Sequence, residues 1–264
     1  YFIGEVVTEL KAQDVLDETL IVVLADNGRP FPRAKTRLHD SGMKTALVAH
    51  WPGGIKDPGT SDSLVSVIDL APTFLELAEG DPNETFQGVS LTSLFKDRKS
   101  EVRKYAFSEH NWHDYEALAR SVRTKEWLYL ENFRTESAWQ GPADSVRSPS
   151  FTQLLSSHKS GDLSQAQADV FLAPRPAAEL YHLGDDPYQL SNLADYGDFT
   201  GIKRSLSSVL KVWMLETGDS NPEQISADEF DRETGLRIVS DQSYRHETPG
   251  ESKFASEINR HGLR

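Results

Sequence analysis

Asp26 and Asn27 stand directly after the apolar run of residues 19–24 (TLIVVL), and together they carry the clearest chemistry in this chain. An acid beside an amide offers two hard oxygen ligands of the kind Ca²⁺ or Mg²⁺ takes. Arg29, Arg33, Lys35 and Arg37 follow within ten residues of Asn27, and His39 closes the same stretch. A cation held beside such a basic loop could neutralise charge on the nonbridging oxygens of an anionic ester. The same residues would also serve a strand-ending turn, with Gly28 supplying the bend, followed by a solvated charged loop.

A second cluster lies at residues 108–115 (SEHNWHDY), which read as a loop after a strand. His110 and His113, with Trp112 between them, could recognise a sugar ring by hydrogen bonding and stacking. A polar surface loop with Trp112 turned inward is the plainer alternative. Of the other histidines, His50 precedes Trp51 on a strand and reads as a satisfied structural residue. Arg120 and Arg123 alternate with apolar neighbours and read as solvent-facing or ion-paired. The acids Glu223, Asp228, Glu229, Asp231 and Glu233 read as a solvated tail. No P-loop, dinucleotide fingerprint or Ser-His-Asp arrangement is visible.

The elements that must position these groups follow from periodicity. An apolar β-branched run flanked by helical sequence reads as a buried parallel strand, and ligands in open α/β sheets sit outside the carboxyl ends of strands. Residues 2–18 place Ile3, Val6, Val7, Leu10, Val15 and Leu16 near one helical face. Residues 45–51 form a second apolar run, ended by Pro52-Gly53-Gly54. Asp69 is placed to cap a helix whose first turn tolerates Pro72. From about residue 100 the texture changes to short strands at 105–108, 117–123 and 127–130, a meander split by turns. Weak helical pieces fall near 151–158 and 164–172, an edge strand at 179–183 and a closing amphipathic helix at 202–215. The expected organisation is therefore residues 1–100 as an α/β part, 101–218 as an antiparallel subdomain, and 219–264 as a polar tail that wraps the surface or is partly disordered.

The composition narrows the partners. A chain of 264 residues with 38% hydrophobic and 26% charged content suits an ordinary globular protein with a real core. Its formal net charge of −13 argues against nucleic acid as a bulk partner. No apolar run approaches the roughly 20 residues of a membrane span. The absence of cysteine removes disulfides, thiolate metal sites and a Cys nucleophile from these residues. The first residue is Tyr1 and not Met, so an upstream segment is expected and a missing export signal is uninformative.

Five segments in order resemble the C-terminal half of a type I sulfatase. They are residues 20–28 (LIVVLADNG) with Lys35, 42–45 (GMKT) with 51–53 (WPG), 67–73 (VIDLAPT), 179–187 (ELYHLGDDP) and 191–194 (SNLA). Residues 26–32 (DNGRPFP) and 109–113 (EHNWH) look most like the heparan N-sulfatase, or sulfamidase-like, branch. The resemblance implies an alkaline-phosphatase-like α/β fold, here the C-terminal part of its central sheet, with a small antiparallel α+β subdomain. It implies Ca²⁺, with Mg²⁺ as the alternative, bound partly by Asp26 and Asn27, and Lys35 on the sulfate or the leaving group. His110 and His113 would select the sugar, with Arg33 and His39 near the anion. The implied substrate is a sulfated carbohydrate, the reaction sulfate ester or sulfamate hydrolysis, and the location periplasmic or secreted. The family's formylglycine arises from Cys or Ser in a C/S-x-P-x-R motif, and Ser148-Pro149-Ser150-Phe151 has the wrong order and lacks the Arg. The nucleophile and the family's other metal ligands are therefore expected from a missing N-terminal half of the enzyme. A phosphodiesterase or phosphonate monoester hydrolase of the same superfamily, and a non-catalytic carbohydrate-binding remnant, remain as alternatives.

Overall fold

A computed structural model describes residues 1–81, 86–219, 226–239 and 263. In chain order these residues form α1 (Phe2–Ala12), β1 (Ile21–Leu24), α2 (Asp40–Met43), β2 (Leu47–His50), α3 (Leu70–Leu77) and α4 (Thr92–Lys96). There follow β3 (Ala106–His113), β4 (Tyr115–Arg123), β5 (Trp127–Asn132), α5 (Ala143–Val146), α6 (Pro149–Ser160), α7 (Gln165–Ala168), β6 (Ala178–His182) and α8 (Thr200–Thr217). They group into two units, residues 1–26 with 45–104, and residues 27–44 with 105–263.

In the first unit the helical period of residues 2–18 yields α1 and a separate 3₁₀ turn at Leu16–Glu18, which buries Leu16. The run at 19–24 does become a strand, but not a buried parallel one. β1 pairs antiparallel with β2, Ile21 opposite His50 and Leu24 opposite Leu47, and its residues are half-buried or exposed. An apolar run reports strand propensity, while ladder direction depends on the path by which the chain returns. On β2 the side chains alternate between half-buried and exposed, so His50 is solvent-facing instead of a satisfied interior histidine. Asp69 does stand at the N-cap of α3, but its side chain makes no capping bond to that helix. Its carboxylate accepts from the Ser66 amide (2.7 Å) and the Val89 amide (2.8 Å), and it pairs with the buried Arg103 guanidinium. Three partners on a fully buried carboxylate satisfy the charge that burial would otherwise penalise.

The second unit is built on a four-stranded antiparallel sheet in the order β3-β4-β5-β6. Period-two alternation along these strands gives each face its own core. Leu128, Leu130, Ala119 and Tyr181 pack with Trp139 and Leu38 on one face. Val122, Tyr129 and Leu180 meet Leu206 and Leu210 of α8 on the other. Phe107 stacks on Trp213 at 4.8 Å, and α8 ends at Gly218 in the left-handed conformation (φ 69°) that glycine adopts without penalty. A third cluster joins Tyr115, Ala143, Val146, Phe151 and Val170 with Phe230 from the tail. The expected tail thus has structure at residues 226–239, whereas its positions 220–225, 240–262 and 264 lie outside the described residues.

Candidate functional site

The basic loop packs onto the sheet of the second unit, and its own turns force its path. Gly28 donates to the Gly42 carbonyl at 2.8 Å, and a Cβ at Gly28 would stand 2.1 Å from the Ser41 carbonyl oxygen. Arg33 and Thr36 take positive φ values of 61° and 72°, which non-glycine residues hold only where their surroundings compel them. Those surroundings are ionic. Arg33 pairs with Asp169 (Nε–Oδ2 3.1 Å) and donates to the carbonyls of Tyr188 (2.9 Å) and Gln189. Arg37, 1% exposed, pairs with the same carboxylate at 3.2 Å and donates to the Trp139 carbonyl. Arg37 and Arg175 also lie over the Trp139 ring at 5.4 and 4.9 Å, where the π face favours a cation. Asp40, at the start of α2, takes a bidentate pair from Arg123 at 2.9 and 3.0 Å, fixing the far end of the loop to β4.

Beneath the loop, Glu179 on β6 collects donors. Its carboxylate accepts from His39 Nε2 (3.1 Å), the Tyr181 hydroxyl (2.6 Å), Arg175 (3.0 Å) and Asn132 Nδ2 (2.7 Å). Burial alone would raise its pKa, but the bonds from His39 and Tyr181 and the charge of Arg175 hold it well below the usual carboxylate range. Burial lowers the pKa of His39, against the pull of Glu179. Burial, helped by Arg175, brings Arg37 down to about 9, leaving it a cation at neutral pH. Arg33, Arg37 and His39 therefore work as internal braces of the loop, with side chains engaged by the protein itself. Lys35 differs. Its ammonium sits 3.5 Å from the carboxylate of Asp144, and that carboxylate is 49% exposed.

Residues 108–115 are not the expected loop. β3 continues to His113 and turns straight into β4, with a bulge between His110 and Trp112. The ring of His110 meets Trp139 edge to face at 5.8 Å, and neither of its ring nitrogens has a hydrogen-bond partner among the described residues. Burial first, and then the neighbouring His113, lower its pKa to about 4, so it is neutral at pH 7. His113 Nδ1 lies 3.3 Å from Asp114 Oδ2. The unit thus carries a neutral imidazole with unused nitrogens, a second imidazole on the adjoining turn and a lysine on a braced loop. Arg120 proves ion-paired and buried, bidentate to Asp219 at 2.5 and 2.8 Å. The partners Asp169, Arg175 and Glu179 escaped the sequence reading, because acids and bases scattered over 150 positions carry no local pattern. Only the placement of Glu179 on a strand between the apolar Ala178 and Leu180 hinted at them.

Asp26 is exposed and Asn27 half-buried, in sequence just past β1. They supply two oxygens of the hard type that Ca²⁺ or Mg²⁺ accepts, fewer than either ion requires. Among the described residues no group of three or more His, Asp or Glu side chains is placed to hold a metal. The donor chemistry therefore fits part of a divalent cation site. The sequence holds no cysteine and no complete C/S-x-P-x-R motif.

The family model described as N-sulphoglucosamine sulphohydrolase, C-terminal, matches residues 33–159. An ulvan-active sulfatase from Formosa agariphila is 30% identical over 219 residues, covering 82% of this chain and 36% of the relative. The N-sulphoglucosamine sulphohydrolase of Homo sapiens is 27% identical over 228 residues, covering 82% of this chain and 45% of the relative. This chain thus spans less than half the length of these curated relatives. Among solved structures, BT4656 in complex with its substrate D-glucosamine-2-N,6-O-disulfate superposes with a TM-score of 0.61 at 18% identity, over 84% of this chain and 39% of that one.

Proposed function

This chain belongs to the type I sulfatase family, as its C-terminal portion with the alkaline-phosphatase-like fold, and from that premise we propose that it supplies one wall of a site hydrolysing sulfate esters or sulfamates on a carbohydrate. The observation that carries this reading is the braced basic loop. Ion pairs at the half-buried Arg33 and the buried Arg37, with the buried hydrogen bond between His39 and Glu179, hold its backbone, while Lys35 keeps a partly solvated carboxylate as its ion-pair partner. A lysine fixed in this way offers charge to an anionic group with little reorganisation, which is what electrostatic stabilisation of a developing negative charge requires.

In this reading Lys35 binds the sulfate or the leaving oxygen, and Asp26 with Asn27 contribute oxygens to a divalent cation, Ca²⁺ or Mg²⁺. When bound, that cation would polarise a sulfate oxygen as a Lewis acid. His110, held neutral by burial, can donate from one ring nitrogen and accept at the other, which suits the hydroxyl or amino groups of a sugar. His113 extends the same edge. Arg33 and His39 act through Lys35 by fixing the loop. The nucleophile is assigned to an N-terminal part of the sulfatase that these residues do not contain. Support for such a partner comes from the first unit, where Ile3, Val6, Val48 and Val67 are each 50–59% exposed. Exposed apolar side chains of this kind are what a covering segment would bury.

The reading is tested by calorimetric or NMR titration of the chain with glucosamine N-sulfate, glucosamine 6-sulfate and unsulfated glucosamine. Both sulfated sugars should bind more tightly than glucosamine. Lys35→Ala should remove about 1.5–3 kcal/mol of that preference, the range for a hydrogen bond to a charged group. Equal affinity for sulfated and unsulfated sugar would overturn it.

A further inference from the structure

The acidic tail supplies a structural element that a solvated run would not. Residues 226–238 lie along the β3–β4 turn and bond to it at successive positions. The Ala227 carbonyl accepts from Trp112 Nε1 at 2.9 Å, and the Glu229 amide donates to the Asp114 carbonyl at 2.8 Å. Asp228 Oδ1 accepts from the Glu116 amide at 2.7 Å. Arg232 then closes the contact, donating to the Glu116 carbonyl at 2.9 Å and pairing with Asp228 at 2.5 and 2.8 Å. Its guanidinium also covers the Tyr115 ring at 5.2 Å.

The turn held in this way is a strained one. Asp114 has φ 63°, a left-handed conformation that costs a non-glycine residue and persists only when its surroundings over-determine it. The over-determination is visible, since its carbonyl takes the tail amide and its carboxylate takes the Ala143 amide at 2.9 Å. That second bond opens α5, the turn bearing Asp144, which is the ion partner of Lys35. The tail reaches the same stretch directly. Arg232 donates to the Ala138 carbonyl (3.3 Å), its own carbonyl accepts from Gln140 (3.1 Å), and the Gly235 carbonyl accepts from Arg147 (2.7 Å). Gly235 is itself left-handed (φ 67°), and a Cβ there would stand 2.9 Å from the Ala143 carbonyl oxygen.

We infer that residues 226–238 are a positioning clip for the sugar-binding edge, in which Arg232 and Asp228 set both the His113 turn and the Asp144 turn that partners Lys35. This rests on the proposed roles of His113 and Lys35. A purely stabilising strap would need apolar anchors, and here Phe230 is the one described tail side chain packed in a core cluster. The remaining tail contacts described above are polar and converge on those two turns. The consequence is that sugar affinity depends on a segment that touches no sugar.

The test compares Arg232→Ala, Arg232→Lys and Asp228→Asn with Lys159→Ala as control, since the exposed Lys159–Glu233 pair (3.3 Å, both side chains 65% exposed) leaves the turn untouched. Two readouts are taken on the full chain, the imidazole NMR resonances of His113 and the affinity for glucosamine N-sulfate. Arg232→Ala should shift the His113 resonances and weaken affinity at least about tenfold, the scale on which misplaced recognition groups act. Arg232→Lys should recover part of both, and Lys159→Ala should change neither. Asp228→Asn, the milder variant, should move both readouts in the same direction if Arg232→Ala fails to fold. Unchanged His113 resonances and affinity in folded Arg232→Ala or Asp228→Asn overturn the inference. If His113 shifts while the wild-type chain binds no sulfated sugar, the sugar reading fails and the clip stands.

Discussion

Replacing Glu179 by Gln should be among the most damaging single-atom changes in the second unit. The carboxylate is 1% exposed and accepts from His39, Tyr181, Arg175 and Asn132, all within 2.6–3.1 Å. Glutamine keeps the shape, removes the charge and turns one acceptor into a donor facing groups that are themselves donors. Arg37 and Arg175 would then share Asp169 as their remaining close carboxylate. Breaking a buried pair by removing one partner costs about 3–5 kcal/mol. For a domain of this size that corresponds to a fall in Tm of roughly 6–20 °C, at about 2–4 °C per kcal/mol. Urea denaturation followed by circular dichroism measures the loss directly. The wild type should also carry a pH signature. Glu179 has a folded pKa depressed below its unfolded value, so its stabilisation is present above that unfolded value and lost as pH falls through the folded one. His39, also depressed, acts in the same direction, because the unfolded chain takes up its proton first as pH falls below about 6.5. Stability should therefore drop from about pH 6.5 downward, and the Gln variant should lose the Glu179 share of that slope. A Glu179→Gln protein within 1 kcal/mol of wild type, with an unchanged acid slope, would refute the network as the loop's support.

Other consequences are more local. Gly28→Ala would press a Cβ against the Ser41 carbonyl, and overpacking against backbone should cost about 2 kcal/mol or more in the same urea assay. Asp40→Ala removes the bidentate partner of Arg123 and should cost about 1–2 kcal/mol, with amide exchange accelerating in residues 27–44 more than in β5. Phe107→Ala empties the stack on Trp213 and should cost about 3–4 kcal/mol while leaving sulfated-sugar affinity unchanged. In an NMR pH titration His110 should take up its proton near pH 4, so any binding that needs its neutral form should persist down to about pH 5 and weaken below that.

The sequence was most legible where one local rule governs an element. The meander of β3, β4 and β5, the edge strand β6 and the amphipathic α8 all followed from period and turn residues, although β3 runs on through the segment expected as a loop. Pairing partners were not, since the antiparallel union of β1 with β2 depends on residues more than twenty positions apart. At the site, the residue types of the basic loop were readable and their division of labour was not. Nothing in the spacing of Arg33, Lys35, Arg37 and His39 distinguishes Lys35, beside an exposed carboxylate, from three neighbours locked against Asp169 and Glu179. That distinction appears only once β6 and the 169–175 segment fold under the loop. The tail shows the same limit, because its acids look solvated until Arg232 and the β3–β4 turn supply their partners.

In the proposed function Lys35 and Asn27 serve one bound sulfate, the first by direct charge and the second through a divalent cation. A double-mutant cycle of Lys35→Ala and Asn27→Ala, read as glucosamine N-sulfate affinity with and without Ca²⁺, tests it most directly. A coupling of at least about 0.5 kcal/mol between the two substitutions is expected in Ca²⁺, the level that marks residues acting on a shared group, and it should disappear when the ion is removed. Strictly additive effects in Ca²⁺, or affinity indifferent to both substitutions, would contradict it.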